Sequence, residues 1–207
     1  MKKTRYFGVN PTMGEFVVLG LSPAGKALPE LIIGDNAVIR SHSVIYAGNR
    51  IGDDFQTGHG VLVRESNTFG NNVSVGSHTT IERQNQIGNH VRIHSNCFVP
   101  EFVIIEDNVW IGPAVAILNV LHPPCPEFES CAKSVRIKKN AKIGGHVTIG
   151  PRVTIGQNSL IGMGSVVTTD IPDNVLAYGN PARVIKPVDQ LTCELEYFKM
   201  PYEWETM

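Results

Sequence analysis

The chain has 207 residues, 42% hydrophobic and 18% charged, with a formal net charge of -1. That length suffices for one domain with a full core. The near-zero charge excludes a global field for nucleic acid or anionic membranes, so any anion recognition has to be local. No apolar run approaches the ~20 residues of a spanning helix.

The N-terminal MKKTRYFGVNP is basic, but no apolar stretch follows it, so it does not read as a signal peptide. Four cysteines in no dense pattern point to a reducing, cytoplasmic setting. Within 1–32, Phe7, Met13 and Leu19 step by six, each followed by Gly. They predict one extra coil, with 20–32 looping out before the main repeat.

From Ile33 the six-residue step becomes strict. Ile33, Ile39, Ile45, Ile51, Thr57, Val63, Phe69, Val75, Ile81, Ile87, Ile93, Val99, Ile105, Ile111 and Ile117 follow without a slip. Thr57 is the only polar member of this run. After a break the phase resumes at Ile137, Ile143, Ile149, Ile155, Ile161 and Val167. Helices place apolar residues at three and four, amphipathic strands at two; a strict six fits a solenoid of short strands and turns.

A second period of eighteen lies over the first: IGDN at 33, IGDD at 51, FGNN at 69, IGNH at 87, IEDN at 105, then IKKN at 137 and IGQN at 155. Three hexads therefore make one triangular coil, and the twenty-one hexads make seven coils, roughly 30 Å tall at the usual strand spacing. Asn36, Asn72, Asn108, Asn140 and Asn158 recur at one corner, where Asn tolerates the positive φ of a tight turn. Small or branched residues such as Ala37, Ser43, Val73 and Cys97 stand four positions after the inward residue and fill the corners.

These repeats resemble the left-handed β-helix acyltransferases of the hexapeptide-repeat superfamily, over about 30 to 187. The resemblance implies an all-β, left-handed parallel β-helix of about seven to eight triangular coils. It also implies a cytoplasmic homotrimer with active sites between subunits, a sugar acceptor, and acetyl-CoA as acyl donor, with no metal required and no nucleic-acid or membrane partner. On this basis 1–32 is an N-terminal segment, 33–171 the β-helix with an inserted loop at 118–136, and 172–207 an exit segment. Leu191 and Leu195, at i and i+4, suggest a short helix in that last part.

The single interruption, LNVLHPPCPEFESCAKSVR, is a long proline-stiffened loop on a rigid scaffold, a usual place for function. His122 stands five residues after Ile117 and precedes Pro123. In similar sugar acetyltransferases a His-Pro at this spacing carries the general base. Imidazole near its reference pKa of ~6.5 can take a proton from an attacking hydroxyl or amine and pass it to a leaving thiolate. A surface loop histidine is the competing reading. Asn119 and Glu127 flank it as acceptor-binding candidates; Asn119 resembles a loop-root Asn of nucleotide-amino-sugar enzymes, and each also reads as an ordinary loop residue. His59 and His78 are further candidates to line the acceptor groove, although corner histidines, like His42 and His146, need no such role.

Cys125, Cys131 and His122 offer soft ligands in one loop. Their spacing fits no standard zinc pattern and a fourth ligand is missing, so the cysteines read as free thiols.

The donor side follows the loop. In KIGG, Lys142 stands where the family has a pantetheine-packing Trp; the nearest Trp of the repeat, Trp110, counts as about one and a half coils earlier. Gly145 matches a position whose backbone N–H faces the thioester oxygen, where donors stabilise an oxyanion. IGMGSVVTTDIP resembles the family's last coil. There Met163 matches a pantetheine-binding position, with Thr168 and Thr169 following; relatives often carry Lys at the latter. In YGNPARVIKP, Arg183 and Lys186 match basic residues that meet coenzyme A phosphates, a task suited to Arg's fork of donors.

Together these features predict acetyl transfer to a hydroxyl or amino group of a sugar or nucleotide sugar. Two alternatives stand beside it. A γ-class carbonic anhydrase-like zinc enzyme needs histidines five apart, whereas His90 and His94 are four apart. A non-catalytic assembly module would not need the His-Pro loop.

Overall fold

The computed structural model describes residues 5–25, 27–132, 134–193, 198 and 200–202. Among them the chain is all β apart from a four-residue helix, Phe128–Cys131, and a 3-10 turn, Val188–Gln190. The strands wind into a parallel β-helix whose three sheets form three faces. Each two-residue strand pairs in parallel with its counterpart one coil on, as Thr68–Phe69 does with Gln86–Ile87.

The first face runs from Arg5–Phe7 to Thr154–Ile155, the second from Thr12–Met13 to Ala182–Pro187, and the third from Val18–Leu21 to Val166–Val167. The expected N-terminal coil is present. Arg5–Phe7, Thr12–Met13 and Val18–Leu21 pair with Leu31–Ile33, Val38–Ile39 and Val44–Tyr46, making eight coils in all.

All twenty-one residues of the main six-step series, Ile33 to Val167, are at most 4% exposed. All but Thr57 contribute an apolar side chain to one continuous core, about 1.5–3 kcal/mol of transfer free energy apiece. Thr57, the polar exception, accepts a bond from the Arg40 backbone N–H at 2.9 Å, so its hydroxyl is not orphaned. Ala37, Ser43, Val73 and Cys97 are buried beside the inward residues, as their spacing predicts.

The three corners differ in chemistry. At the first corner, between the first and second faces, Asn36, Asn72, Asn108, Asn140, Asn158 and Asn174 have φ between 55° and 61°. Their amides form a ladder: Asn108 donates to Asn140 (3.2 Å), Asn140 to Asn158 (2.9 Å) and Asn158 to Asn174 (2.7 Å). At the second corner His42, His78 and His146 take positive φ, which His tolerates better than most residues. Inside the third corner, between the third and first faces, Asn49, Asn67 and Asn85 are fully buried. The Asn67, Asn85 and Val103 backbone N–H groups donate to the side-chain oxygens of Asn49, Asn67 and Asn85, at 2.7–2.8 Å. Above Val103, Val135 and Val153 replace the amides.

At the far end Val175–Gly179 joins the second face and pairs antiparallel with Ala182–Pro187. Of the expected C-terminal helix, the described residues show a 3-10 turn, Val188–Gln190, followed by an extended Leu191 (φ -77°, ψ 142°). Leu195 lies outside the described residues.

Candidate active site

The inserted loop leaves the third corner after Ile117. When the chain returns at Arg136–Ile137, it pairs with Ile104–Ile105 as if nothing intervened. The solenoid therefore stays in register while the loop projects from it. His122 is exposed on this loop. Asn119, at the root, is only 7% exposed, and its amide donates to the Glu101 backbone oxygen (3.3 Å) and carboxylate (3.0 Å). Glu127 is exposed and precedes the short helix; its backbone oxygen accepts the Cys131 N–H at 2.9 Å.

Cys125 and Cys131 are joined as a disulfide, which corrects their reading as free thiols. The loop folds back far enough to bring the two sulfurs together, which their spacing alone does not reveal. The inference of a reducing setting loses its support from these two residues. Cys97 is buried, and desolvation pushes its thiol up, in keeping with an inert thiol.

His59 and His78 lie at the second corner, both exposed. The His59 Nδ1 is 2.8 Å from the Ser41 hydroxyl. The His78 ring rests on Gly60, where a Cβ would come within 2.9 Å of its Nδ1. Gly145 and Met163 occupy the same corner on later coils, and the Gly164 N–H donates to the Gly145 carbonyl at 2.9 Å. A Cβ on neighbouring Gly144 would lie 2.5 Å from the Met163 nitrogen, so only glycine lets these coils stack here. The Met163 side chain is 84% exposed.

Thr168 and Thr169 follow the last third-face strand and are exposed at the third corner, on the loop's side. Arg183 and Lys186 lie on the terminal strand Ala182–Pro187 at the end of the second face. The Arg183 guanidinium donates to the Ala182 carbonyl (2.9 Å), and the Lys186 ammonium to that of Gln190 (3.2 Å).

A single chain thus does not bring all the candidates together. His122, Asn119, Glu127, Thr168 and Thr169 belong to the third corner. His59, His78, Gly145 and Met163 belong to the second. The third face separates them, and its outward residues, among them Leu62, Phe98, Ala116 and Val166, are largely apolar or small.

A charged ladder on the third corner was absent from the sequence reading. Arg64 meets Glu65 at 2.9 Å and Glu82 at 3.3 Å; Arg83 meets Glu129 at 2.6 Å and Glu101 at 4.0 Å. Arg64 stacks over Tyr46 and Arg83 over Phe102. Burial raises the Glu82 carboxyl, and Glu101 and Glu65 add to the rise against the pull of Arg64. Burial acts the same way on Glu65, but the bonds from Arg64 and its own backbone outweigh it, leaving that carboxyl below its ordinary value. The eighteen-residue register carries the signal for this ladder, since Glu65, Arg83, Glu101 and Asn119 are spaced by that step.

A cavity of about 980 Å³ lies on the second face, opposite the loop's corner, and is lined in part by Arg92, Trp110, Lys142 and Tyr202. Trp110 sits one coil from Lys142 in direct register, which corrects its expected distance of one and a half coils. The Lys142 ammonium is 5.8 Å from the Tyr202 ring centre. Among the described residues no group of three or more His, Cys, Asp or Glu side chains is arranged to hold a metal ion, and no helix is long and apolar enough to cross a membrane.

The family model described as bacterial transferase hexapeptide (six repeats) matches residues 134–169. Among solved structures, LpxA from Acinetobacter baumannii is similar at 19% identity, covering 89% of this chain and 70% of that one, with a TM-score of 0.65. A mutant of AntD, an N-acyltransferase from Bacillus cereus in complex with dTDP and coenzyme A, is similar at 21% identity, covering 71% and 81%, with a TM-score of 0.52. A hexapeptide-repeat-containing acetyltransferase from Vibrio cholerae, complexed with acetyl coenzyme A, is 29% identical over 63% of this chain and 69% of that one, with a TM-score of 0.43. Residues 134–169 thus match the transferase hexapeptide repeat, and the chain shares the β-helix fold of LpxA and AntD.

Proposed function

We propose that the chain is an acyl-CoA-dependent acyltransferase that acetylates a hydroxyl or amino group of a sugar or nucleotide sugar, in the cytoplasm. The observation that carries the reading is the position of His122. It stands on the only insert that interrupts 33–167, and the repeat resumes in register on the far side. The segment matched by the transferase-hexapeptide model, 134–169, contains Gly145, Met163, Thr168 and Thr169, four of the six residues assigned to the donor. Coenzyme A is also bound by AntD, which shares the fold.

His122 on the third corner and the Gly145 and Met163 backbone on the second flank one largely apolar face. The reading therefore includes a homotrimer, in which the third corner of one protomer faces the second corner of the next.

In the reaction His122 takes the proton of the acceptor O–H or N–H as the acceptor oxygen or nitrogen bonds to the thioester carbonyl carbon. The Gly145 N–H stabilises the negative charge that develops on the carbonyl oxygen. Collapse re-forms the C=O bond and breaks the C–S bond, and His122 returns its proton to the thiolate. Arg183 and Lys186 hold coenzyme A phosphates, joined by Thr168 and Thr169. Asn119, Glu127, His59 and His78 line the acceptor groove; Asn119 reaches it with its oxygen, because its nitrogen is bonded to Glu101.

Calorimetry with coenzyme A, followed by thiol release from acetyl-CoA across a panel of amino- and hydroxy-sugars and their nucleotides, tests the proposal. Binding and acceptor-dependent release are expected. Absence of coenzyme A binding contradicts it.

A further inference from the structure

Arg83 stands on the prism, thirty-nine positions before His122 and outside every group assigned above. We infer that Arg83, with Glu101 beside it, is the positioning residue that sets where His122 stands; the effect on catalysis rests on the function proposed above. Glu65, Arg83, Glu101 and Asn119 form a column on the third corner, one residue per coil. Asn119 is the root of the loop, and its amide is fixed to the Glu101 carboxylate at 3.0 Å. The loop then folds back down the corner, so that Glu129 of the helix Phe128–Cys131 meets the Arg83 guanidinium at 2.6 Å. Arg83 and Glu101 themselves approach to 4.0 Å. Both ends of the span 119–129 are therefore tied to one charged pair on the rigid prism, and His122 lies within that span.

The guanidinium is also held by contacts within the prism. It donates to the Gln84 side chain at 2.6 Å and stacks over Phe102, 5.4 Å from the ring centre. A planar fork held in this way loses little freedom when the loop carboxylate docks. An isolated exposed pair contributes little to global stability, and the Glu129 side chain is 67% exposed. The consequence falls on the loop's position. A base displaced by about 1 Å costs up to roughly a hundredfold in rate.

The test combines amide hydrogen exchange over 119–131 with steady-state kinetics on the full chain. Glu129→Gln changes a surface carboxylate and leaves the prism intact. It is expected to speed exchange in the loop, to lower kcat by about three- to tenfold, and to leave the melting temperature and the KM for acetyl-CoA unchanged. Arg83→Glu is expected to lower kcat further, and Arg83→Glu combined with Glu129→Arg to recover most of the loss. Arg83→Lys, which keeps the charge and loses the fork, should fall between. Unchanged loop exchange in Glu129→Gln overturns the inference, as does a reversed-charge pair no better than Arg83→Glu alone. Exchange is read without turnover, so an active His122→Ala variant would sink the base assignment while leaving the docking of the loop separately decided.

Discussion

Residues 33–117 and 135–167 are held by what lies inside them, whereas the loop between them is held by a few particular contacts. In the prism every sixth side chain is buried against its neighbours in adjacent coils, and corner amides bond one coil to the next. In the loop Leu121 is 58% exposed, and the named anchors are a disulfide, an ion pair and an amide bond. A periodic core fixes position through many small, redundant contacts. A projecting loop depends on a few particular ones, so single changes there shift geometry while the fold persists.

Paired substitutions probe this contrast. Ile111→Ala, at a fully buried position, should cost about 2–5 kcal/mol, read from the urea midpoint. Leu121→Ala in the loop should stay within about 0.5 kcal/mol. Equal costs would break the comparison. Asn67→Ala is expected to cost about 1–3 kcal/mol, because it leaves the buried Asn85 N–H without its acceptor. Asn140→Val forces a β-branched residue to a φ of 61° and should cost about 1–2 kcal/mol, while Asn140→Gly avoids that strain and costs less.

Acid titration offers a subtler test. The Glu82 carboxyl lies above its ordinary 4.5, chiefly through burial. Between the two values the folded chain keeps a proton that the unfolded chain has released. Its contribution therefore favours folding at lower pH and is lost as pH rises through the folded value. Glu82→Gln should flatten that part of the stability profile; an unaltered profile would show that Glu82 does not carry it. The smallest effect is expected from reducing the Cys125–Cys131 bond. The prism should melt as before, since the disulfide closes a segment wholly within the loop.

Most of the prism was legible in the sequence because its period is strict. The inward residues from Ile33 to Val167, the corner asparagines and the extra coil of Phe7, Met13 and Leu19 all follow from counting. Counting failed where the insert intervened. Trp110 and Lys142 are adjacent in register but thirty-two positions apart instead of eighteen, so their neighbourhood was misjudged. The loop's internal structure obeys no period. Arg83 and Glu129 are forty-six positions apart, a distance unrelated to the coil, and the Cys125–Cys131 pairing depends on how the chain turns back. The inward ladder of Asn49, Asn67 and Asn85 was legible in principle, at the eighteen-residue step, yet a reading for apolar inward residues passes over it. The site divides along the same line. The positions of Gly145 and Met163 follow from the repeat, whereas that of His122 is set by contacts peculiar to this loop.

The most direct measurement is turnover and coenzyme A affinity of His122→Ala against the parent chain, with an acceptor that supports thiol release. Turnover is expected to fall about 10²–10⁴-fold with coenzyme A affinity nearly unchanged. Near-normal turnover would contradict the assignment of His122 as the base.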